Sequence, residues 1–474
     1  MVSSFVCTDI PGIMPESLNG FVPSPTLSPF PDSASPVCPP RIVQSPCAEA
    51  HFPFSDTLFP EKNPTIALIK EKGKAETTTG LPKHCVADIF REQEENLLNS
   101  GKLSPEQAKA VYSIINCRTE TYGYHAEVCD ECGFIDIGYN SCRNRHCPRC
   151  QGIAKRKWVN ARLSELLPVA YHHVVFTVPA YISMLSMYNQ KMIYDLLFKA
   201  ASQTLLAFGK DAKFLGANIG FYGILHTWSQ TLGPHIHIHF IVTAGGLTGA
   251  GQWKEPKHAR KFLFPVRAVS KVFRGKFIEG FKGLYYDHKL TIPDRMGELN
   301  TAEGFEKRLN ILVSKSWRVY SKPPFSGPDE VVRYIGRYTH RIAISDGRII
   351  SFKDGKVTFS YKDNREKEPD RKYKEMTLTT EEFIRRFLYH VLPQRYHRIR
   401  NYGFLSNGRK KQNIEIIRRQ LPDACEIEMA EAEEGMICPI CGKGKMKTFL
   451  IVNGNGQIIE SDFTAIKGEY GDTS

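Results

Sequence analysis

From His84 onward, the chain alternates between segments whose hydrophobic residues recur every three or four positions and segments whose hydrophobic residues alternate or run together. The first pattern is typical of helices and the second of strands. Helices are predicted around Ile89, after the N-cap signal Ser104-Pro105-Glu106-Gln107, and over IAKRKWVNARLSELLP, MYNQKMIYDLLFKAASQTLLAF, GFEKRLNILVSKSW, PDEVVRYIGRYTHRIA and TTEEFIRRFLYHVLP. Strands are predicted over HHVVFTVPAY, ANIGFYGILHTWSQ and HIHIHFIVTAGGL, with a hairpin over GRIISFKDGKVTFSYKD.

Proline sets the first part of the chain apart. It recurs from Pro11 to Pro64 and is densest in PSPTLSPFPDSASP. Because proline removes a backbone donor and disrupts helices and central strands, residues 1–80 are predicted to be a flexible leader. The remaining domains are predicted as a zinc-binding DNA-recognition domain over 84–165, a catalytic domain over 170–365, a basic helical DNA-binding region over 376–425, and an acidic linker, CxxC knuckle and tail over 426–474.

The charge balance narrows the choice of partner. Among 474 residues, Lys and Arg number 63 and Asp and Glu number 50, a formal net charge of +13. This favours a polyanion, either nucleic acid or an acidic membrane face. No apolar stretch approaches the ~18–20 residues of a membrane span. No basic residue precedes Arg41, so the N-terminus lacks the basic start that is typical of a secretory signal. We therefore expect a cytoplasmic, nucleoid-associated protein. GGLTGAG lacks the ending of a phosphate-binding loop, so no role for ATP is expected.

The 13 cysteines are clustered, which favours metal binding in a reducing compartment over disulfides. Two CxxC turns can complete one tetrahedral, structural zinc site, whose predicted ligands are Cys129, Cys132, Cys147 and Cys150. Neighbouring side chains could replace a ligand or form a second site: Cys117, His125, Cys142 and His146.

A further CxxC pair, Cys438 and Cys441, lies near the end of the chain. Two thiolates do not complete a tetrahedral zinc site. A second zinc site there would need Cys425 or a distant residue as well; otherwise the pair is a degenerate knuckle.

Basic residues surround the zinc knuckles and recur in the C-terminal third. The knuckle set comprises Arg143, Arg145, Arg149, Lys155 and Arg156, and the C-terminal set includes Arg398 and Arg400. Basic side chains on a rigid knuckle can bind phosphates, although a run of basic residues is also typical of a solvent-exposed face. Tyr396, Tyr402 and Phe404 are interleaved with the C-terminal set, which predicts either base stacking along a single strand or core packing.

Three histidines at a spacing of two, His235, His237 and His239, lie in an apolar strand. Alternate side chains of a strand share one face, so the histidines face one side while the isoleucines between them face the core. Alternate positions are ~7 Å apart, so only two of the three can share an ion. We predict a divalent cation held by His237, His239 and, from the preceding strand, His226, with Gln230 and His235 as substitutes. Mg²⁺ or Mn²⁺ would suit such a site.

A predicted helix carries two tyrosines four residues apart, Tyr334 and Tyr338, which places both hydroxyls on one face. Paired helical tyrosines are often core residues. Here the basic residues Arg333, Arg337 and Arg341 flank them. A phenol, whose pKa is ordinarily ~10, attacks phosphorus effectively when cations polarise the target and favour the phenolate. We therefore predict Tyr334 and Tyr338 as nucleophiles.

These motifs together resemble the two-tyrosine HUH-superfamily transposases of rolling-circle insertion sequences, the IS-ninety-one type. The resemblance rests on CRTETYGYHAEVCDECG, SCRNRHCPRCQG, HHVVFTVP, LHTWSQTL, HIHIHFIVTAGGL, YIGRYTHRIAIS, VTFSYKD, EFIRRFLYHVLP, RIRNYGFL and CPICG, and it spans roughly residues 84–450. Two positions depart from the family pattern, where Ile236 replaces a proline and Phe240 a smaller residue.

The resemblance implies an α+β protein in which an HUH nuclease core, an antiparallel sheet with packed helices, follows a helical zinc-knuckle domain. It implies cleavage of single-stranded DNA at transposon ends and target, with a covalent 5′-phosphotyrosine. Carried over by position, the HUH pair is His237 and His239, and the nucleophiles are Tyr334 and Tyr338. A plasmid relaxase or replication initiator with the same chemistry, or a non-catalytic zinc-dependent DNA-binding protein, are the alternatives.

Overall fold

The computed structural model describes residues 84–150, 165–256, 263–322, 342–363, 371–421 and 436–462, together with six single positions: Val159, Arg162, Val331, Arg365, Glu366 and Glu368. The predicted leader, most of the helix after the second zinc knuckle, and the tyrosine helix beyond Val331 lie outside these residues.

Helices and antiparallel strands both contribute to the described part of the chain, which confirms the α+β prediction. The α-helices are α1 (Val86–Glu92), α2 (Glu94–Asn99), α3 (Pro105–Ile115), α4 (Ala180–Ser186), α5 (Gln190–Lys210), α6 (Val266–Tyr286), α7 (Ala302–Ser314), α8 (Thr380–Leu388) and α9 (Lys410–Arg418). Short 3₁₀ turns cover Glu120–Tyr122, Asp294–Asn300 and Asp346–Arg348.

The strands confirm most of the predicted β-segments. They are β1 (Tyr124–Cys129), β2 (Ile135–Tyr139), β3 (Tyr171–Thr177), β4 (Asn218–Trp228), β5 (Pro234–Leu247), β6 (Trp253–Lys254), β7 (Val319–Ser321), β8 (Ile349–Lys353), β9 (Lys356–Lys362), β10 (Tyr373–Thr379), β11 (Ile399–Gly403), β12 (Met446–Val452) and β13 (Ile458–Ser461).

The described residues fall into two units. The first takes those within Met1–Pro148, Ile344–Ile384 and Gly435–Ser474, and the second takes those within Arg149–Ala343 and Arg385–Glu434. Each unit is therefore discontinuous in sequence, whereas the sequence-based domains are consecutive segments.

Two sheets and the first three helices form the first unit. One sheet has the strand order β13-β12-β1-β2 and the other has the order β10-β9-β8. Helix α3 begins as predicted, because the Ser104 hydroxyl accepts from the Gln107 amide at 3.3 Å and the Gln107 side chain accepts from the Ser104 amide at 3.0 Å. The β8–β9 turn uses Asp354 and Gly355 with φ of 52° and 66°, the left-handed pair that a two-residue hairpin favours.

The second unit is built on an antiparallel sheet with the order β11-β4-β5-β3-β7, and β6 pairs with β5. Helices α5 and α6 supply much of its main core cluster, which also contains Ile236 and Ile238. Helix α6 lies outside the predicted elements. Its buried residues Val269, Phe273 and Phe277 recur every four positions, which is the signal that identifies it.

None of the helices in the described ranges combines the length and the apolar character that a bilayer crossing requires.

Candidate metal and nucleic-acid sites

The long hairpin of β4 and β5 brings three histidines together. The strands pair antiparallel with His226 directly opposite His237, and His239 lies two residues further along β5. One ring nitrogen from each of the three lies within 4.8 Å of the others. Ile236 and Ile238 point into the core, each at most 1% exposed. The geometry therefore matches the predicted arrangement, and His235 is not in the group.

Hydrogen bonds define the orientation of two of these imidazole rings, those of His237 and His239. The Nδ1 of His237 lies 2.9 Å from the carbonyl oxygen of His235, so this nitrogen carries the proton. The Nδ1 of His239 lies 2.8 Å from the Nε2 of His173 on β3. Since both Nδ1 atoms are engaged, each ring would offer Nε2 to a cation.

Two neighbouring aromatic rings, those of Trp228 and His173, contact the histidine group. Trp228 stacks on His226 with ring centroids 5.1 Å apart and an interplanar angle of 18°. Burial, with smaller contributions from Lys322 and His226, lowers the pKa of His173 to about 3, so this ring stays neutral. The sequence reasoning missed His173, although the period-two pattern of HHVVFTVPAY places it on a strand that can neighbour β5.

The cysteines form two groups of four rather than one mixed group. The first group is Cys117, Cys142, Cys147 and Cys150, and the second is Cys129, Cys132, Cys438 and Cys441; in each, the sulfur atoms lie within 4.8 Å of one another. The predicted single site of Cys129, Cys132, Cys147 and Cys150 is therefore wrong in its pairing. The physical reason is that β12 pairs with β1, which brings the C-terminal knuckle beside the first one.

Two histidines were also considered as zinc ligands, His125 and His146. His125 Nδ1 is 3.0 Å from the side-chain oxygen of Asn140. His146 donates its backbone amide to Asn144 at 2.9 Å. Neither histidine belongs to a ligand group among the described residues, and Cys425 lies outside them.

The basic residues near the knuckles differ in exposure. Arg143 is exposed and has a positive φ of 53°, whereas Arg145 and Arg149 are half-buried. Burial lowers the pKa of Arg145 from its ordinary value. Lys155 and Arg156 lie outside the described residues.

The C-terminal basic set is partly structural. The guanidinium of Arg400 contacts Asp195 at 2.5 Å and lies 4.2 Å above the ring of Phe198. Tyr396 and Phe404 are 5% and 1% exposed. Of the two alternatives, core packing therefore holds for these two rings, which belong to hydrophobic cores. Arg398 is half-buried on the segment that leads into β11.

The predicted nucleophiles Tyr334 and Tyr338, with Arg333, Arg337 and Arg341, lie outside the described residues. One residue of that segment, Val331, is described and is helical. It is fully buried in a cluster with Ile224 and Ile241. These isoleucines lie two residues from His226 and His239 on their strands, so Val331 packs on the histidine face of the sheet.

Two family models match the chain. The model described as Putative transposase matches residues 220–413, which contain the histidine group, and the model described as Transposase zinc-binding domain matches residues 89–178.

The curated relatives are transposases. The Putative transposase y4qJ of Sinorhizobium fredii (strain NBRC 101917 / NGR234) is 41% identical over 385 residues, which cover 78% of this chain and 96% of the relative. The Transposase for insertion sequence element IS801 of Pseudomonas savastanoi pv. phaseolicola is 27% identical over 315 residues, 66% of this chain and 73% of the relative. The chain belongs to this IS-ninety-one type transposase family, with a zinc-binding domain in its N-terminal half.

Among solved structures, the conjugative relaxase TrwC in complex with oriT DNA matches in part. A metal-bound form is 13% identical, with a TM-score of 0.21 over 35% of this chain and 70% of the relaxase. A metal-free form is 17% identical, with a TM-score of 0.20 over 24% of this chain and 44% of the relaxase.

Proposed function

We propose that this transposase cuts and rejoins single-stranded DNA at transposon ends and target by tyrosine transesterification of the HUH type. The observation that carries the proposal is the convergence of His226, His237 and His239 on the sheet face where Val331 packs. On the helix that the sequence predicts, Tyr334 and Tyr338 follow Val331 by three and seven residues. With this spacing, a helix would carry all three on one face, and the proposal takes this to be the face by which Val331 packs on the sheet.

The histidine group fits a divalent cation, because three imidazole nitrogens from rigid strands lie within 4.8 Å of one another. A cation held by His226, His237 and His239 would supply Lewis-acid polarisation of the scissile phosphate. Of the two ions predicted, Mn²⁺ suits an all-nitrogen protein set better than Mg²⁺, which prefers oxygen ligands.

In the proposed reaction, the phenol oxygen of Tyr334 or Tyr338 attacks the scissile phosphorus. The new bond is Tyr O–P, and the bond that breaks joins phosphorus to the 3′ oxygen of the upstream nucleotide. The tyrosine proton is lost as the bond forms, and the departing 3′ oxygen gains a proton. Because one phosphodiester replaces another, the bond energy is conserved and ATP is not required. The second tyrosine provides for a second strand cut. Arg333, Arg337 and Arg341 would stabilise negative charge on the phosphate.

We propose that the zinc-binding domain holds zinc through Cys117, Cys142, Cys147 and Cys150. Arg143, Arg145 and Arg149 lie on or beside the same knuckle, and with Lys155 and Arg156 they would contact DNA phosphates. Arg398 is kept as a candidate contact. Arg400 is not, because Asp195 and Phe198 already engage its guanidinium.

The test is cleavage of labelled single-stranded oligonucleotides that span both termini of the element encoding this chain, with Mn²⁺ or Mg²⁺. We expect a detergent-stable protein–DNA adduct and a free 3′-hydroxyl end. Tyr334→Phe combined with Tyr338→Phe should abolish the adduct, and His237→Ala should abolish cleavage. Tyr373→Phe is the matched control, since Tyr373 is 70% exposed on β10. Adducts that persist in the double tyrosine variant would refute the nucleophile assignment.

The cleavage experiment and a mobilisation assay together separate the alternatives. A non-catalytic zinc-dependent DNA-binding protein would bind the oligonucleotides and give no metal-dependent cut. A plasmid relaxase or replication initiator would cut but would not move the element between DNA molecules in a mobilisation assay. The match to the transposase zinc-binding domain over residues 89–178 favours mobilisation.

A further inference from the structure

The second group of cysteines joins two parts of the chain that are about three hundred residues apart. Cys129 Sγ lies 3.7 Å from Cys441 Sγ, and Cys132 Sγ lies 3.7 Å from Cys438 Sγ. All four belong to the first unit. The matched zinc-binding domain ends at residue 178, so the C-terminal pair lies outside it.

The separations have the size that a zinc tetrahedron requires. With Zn–S bonds of about 2.3 Å, the sulfur atoms at the corners of a regular tetrahedron lie about 3.8 Å apart. A disulfide would instead place two sulfurs about 2.05 Å apart. None of these four cysteines is in a disulfide.

The backbone around the two pairs is built in the same way. Gly133 and Gly442 follow their knuckles with φ of 69° and 65°, and each donates its amide to the carbonyl of the first cysteine of its pair, at 3.1 and 3.0 Å. An L side chain is strained at such φ, which explains glycine at both positions.

Amide groups also point at the sulfur atoms. The Cys132 amide donates to Cys129 Sγ at 3.5 Å, and the Gly444 amide donates to Cys441 Sγ at 3.4 Å. Donors of this kind stabilise thiolates, which are the form that binds zinc. A Cβ at Gly444 would lie 2.4 Å from Cys129 Sγ, so the approach of the two knuckles requires glycine there.

The site lies at the end of a strand pair. Cys129 is the last residue of β1 and pairs with Met446, the first residue of β12. Beside it, Asp130 accepts the Lys445 amide at 2.8 Å and contacts the Lys447 ammonium at 3.3 Å. The chain after the C-terminal knuckle therefore continues directly into the sheet of the first unit.

We propose that Cys129, Cys132, Cys438 and Cys441 form a second, structural zinc site, which makes the C-terminal hairpin part of the zinc-binding domain. Four thiolates complete the zinc shell and leave no position open for substrate. The site acts as a cross-link that holds β12 and β13 on β1. This inference does not depend on the proposed DNA reaction.

Zinc content measured by mass spectrometry on the full chain tests the site. A His237→Ala, His239→Ala parent is used, so that the histidine group does not contribute zinc. Changing Cys438 and Cys441 to serine should remove one zinc equivalent, and changing Cys129 and Cys132 should remove the same one. All four changes together should still remove only one. Cys85→Ser, a buried thiol outside both groups, is the control and should remove none.

An unchanged zinc count in the Cys438/Cys441 variant would overturn the proposal, as would the loss of two equivalents in the fourfold variant. Because serine variants can misfold, thiol protection is measured in the unaltered chain as well. Zinc should protect Cys438, Cys441, Cys129 and Cys132 from alkylation together, and chelation should expose them together. Alkylation of Cys438 and Cys441 at full zinc loading would contradict the site.

Discussion

The imidazoles of His173 and His239 lie nearly parallel, with an interplanar angle of 7° and centroids 5.1 Å apart, and His173 Nε2 is 2.8 Å from His239 Nδ1. If His239 offers Nε2 to a cation, its Nδ1 carries the proton, and the Nε2 of His173 accepts it. His173 is 3% exposed, so the packing of β3 holds this acceptor in place. His173 is thus a positioning residue for a proposed metal ligand.

His173→Ala should therefore weaken Mn²⁺ binding by about tenfold to a hundredfold, the usual cost of losing a partner that orients a metal ligand. His173→Gln, which keeps an acceptor, should recover part of the affinity. The measurement is Mn²⁺ titration by electron paramagnetic resonance. His172→Gln is the control, because His172 is equally buried on β3 but its side chain points to the other face. Equal losses in both variants would indicate general damage to the strand.

The third metal ligand can be identified by comparing three alanine variants. His226→Ala should weaken Mn²⁺ binding by more than about a hundredfold, since a ligand matters more than the residues that orient it. His235→Ala and Gln230→Ala should bind almost as the parent does. The His235 ring packs beside His237 without joining the ligand group, and the His235 carbonyl that contacts His237 Nδ1 is retained in alanine. A larger loss for His235→Ala than for His226→Ala would reverse the assignment.

The histidine group could be predicted from the sequence because it depends on local rules. Period-two alternation in HIHIHFIV fixes which side chains face the core, and a short turn fixes which residues pair across the hairpin. His226 could therefore be placed across the hairpin from the His237 and His239 pair without any coordinates, and the observed register sets it opposite His237. The predicted strand over HHVVFTVPAY, in contrast, extends too far, because the observed strand ends at Thr177 and helix α4 begins at Ala180.

The cysteine pairing could not be predicted in the same way. Spacing identifies a CxxC knuckle, but every knuckle offers the same two thiolates, so local sequence does not say which knuckles meet. That choice depends on β12 pairing with β1 across more than three hundred residues. The aromatic residues near Arg400 show a related limit, because an alternation of rings and charges fits both a stacking surface and the edge of a core. Because Tyr396 is buried, its ring belongs to the core and not to a stacking surface.

Packing of Val331 tests the link between the tyrosine helix and the histidine face. Val331→Ala should lower the unfolding free energy by about 2 kcal/mol through lost burial and a residual cavity. It should also reduce single-strand cleavage by about tenfold or more, since small displacements of a nucleophile slow attack strongly. Mn²⁺ affinity should remain unchanged, because the three histidines lie on strands.

The control for that variant is Val269→Ala on α6. Val269 is 3% exposed in the main core cluster, away from the residues that contact Val331. Val269→Ala should lower the unfolding free energy by a similar amount and leave the cleavage rate of the folded protein unchanged. If Val269→Ala slows cleavage as much as Val331→Ala does, the effect reflects stability rather than placement of the tyrosines.

Arg143 and Arg400 should behave differently in DNA binding. Arg143→Ala should weaken binding of single-stranded DNA and reduce the slope of log affinity against log salt by about 0.7, the value for one phosphate contact on a single strand. Arg400→Ala should leave that slope unchanged and lower the unfolding free energy by about 1 kcal/mol, through its contacts with Asp195 and Phe198. Fluorescence anisotropy at several salt concentrations measures the slopes. Identical slopes for the two variants would remove Arg143 from the interface.

His390 makes the stability of the second unit depend on pH. Its Nε2 lies 2.9 Å from the carbonyl of Leu232 and therefore donates, while its Nδ1 lies 3.1 Å from the Thr227 hydroxyl, which donates to it. Both bonds use the neutral ring. Burial lowers the pKa of His390 to about 4, against 6.5 for an exposed histidine. Because the unfolded chain binds the proton more readily, this contribution to stability is complete above pH 6.5 and is lost as the pH falls toward 4.

By pH 5, the loss from this one group should be about 2 kcal/mol. His390→Gln keeps a donor for Leu232 and does not titrate, so it should be less stable than the parent at pH 7.5 and the gap should narrow by about that amount at pH 5. Urea denaturation at the two pH values, with both proteins in the same buffers, measures the difference. Other titrating groups are common to both proteins and cancel in the comparison. A gap that stays constant between pH 7.5 and 5 would show that His390 binds protons equally in the folded and unfolded chain.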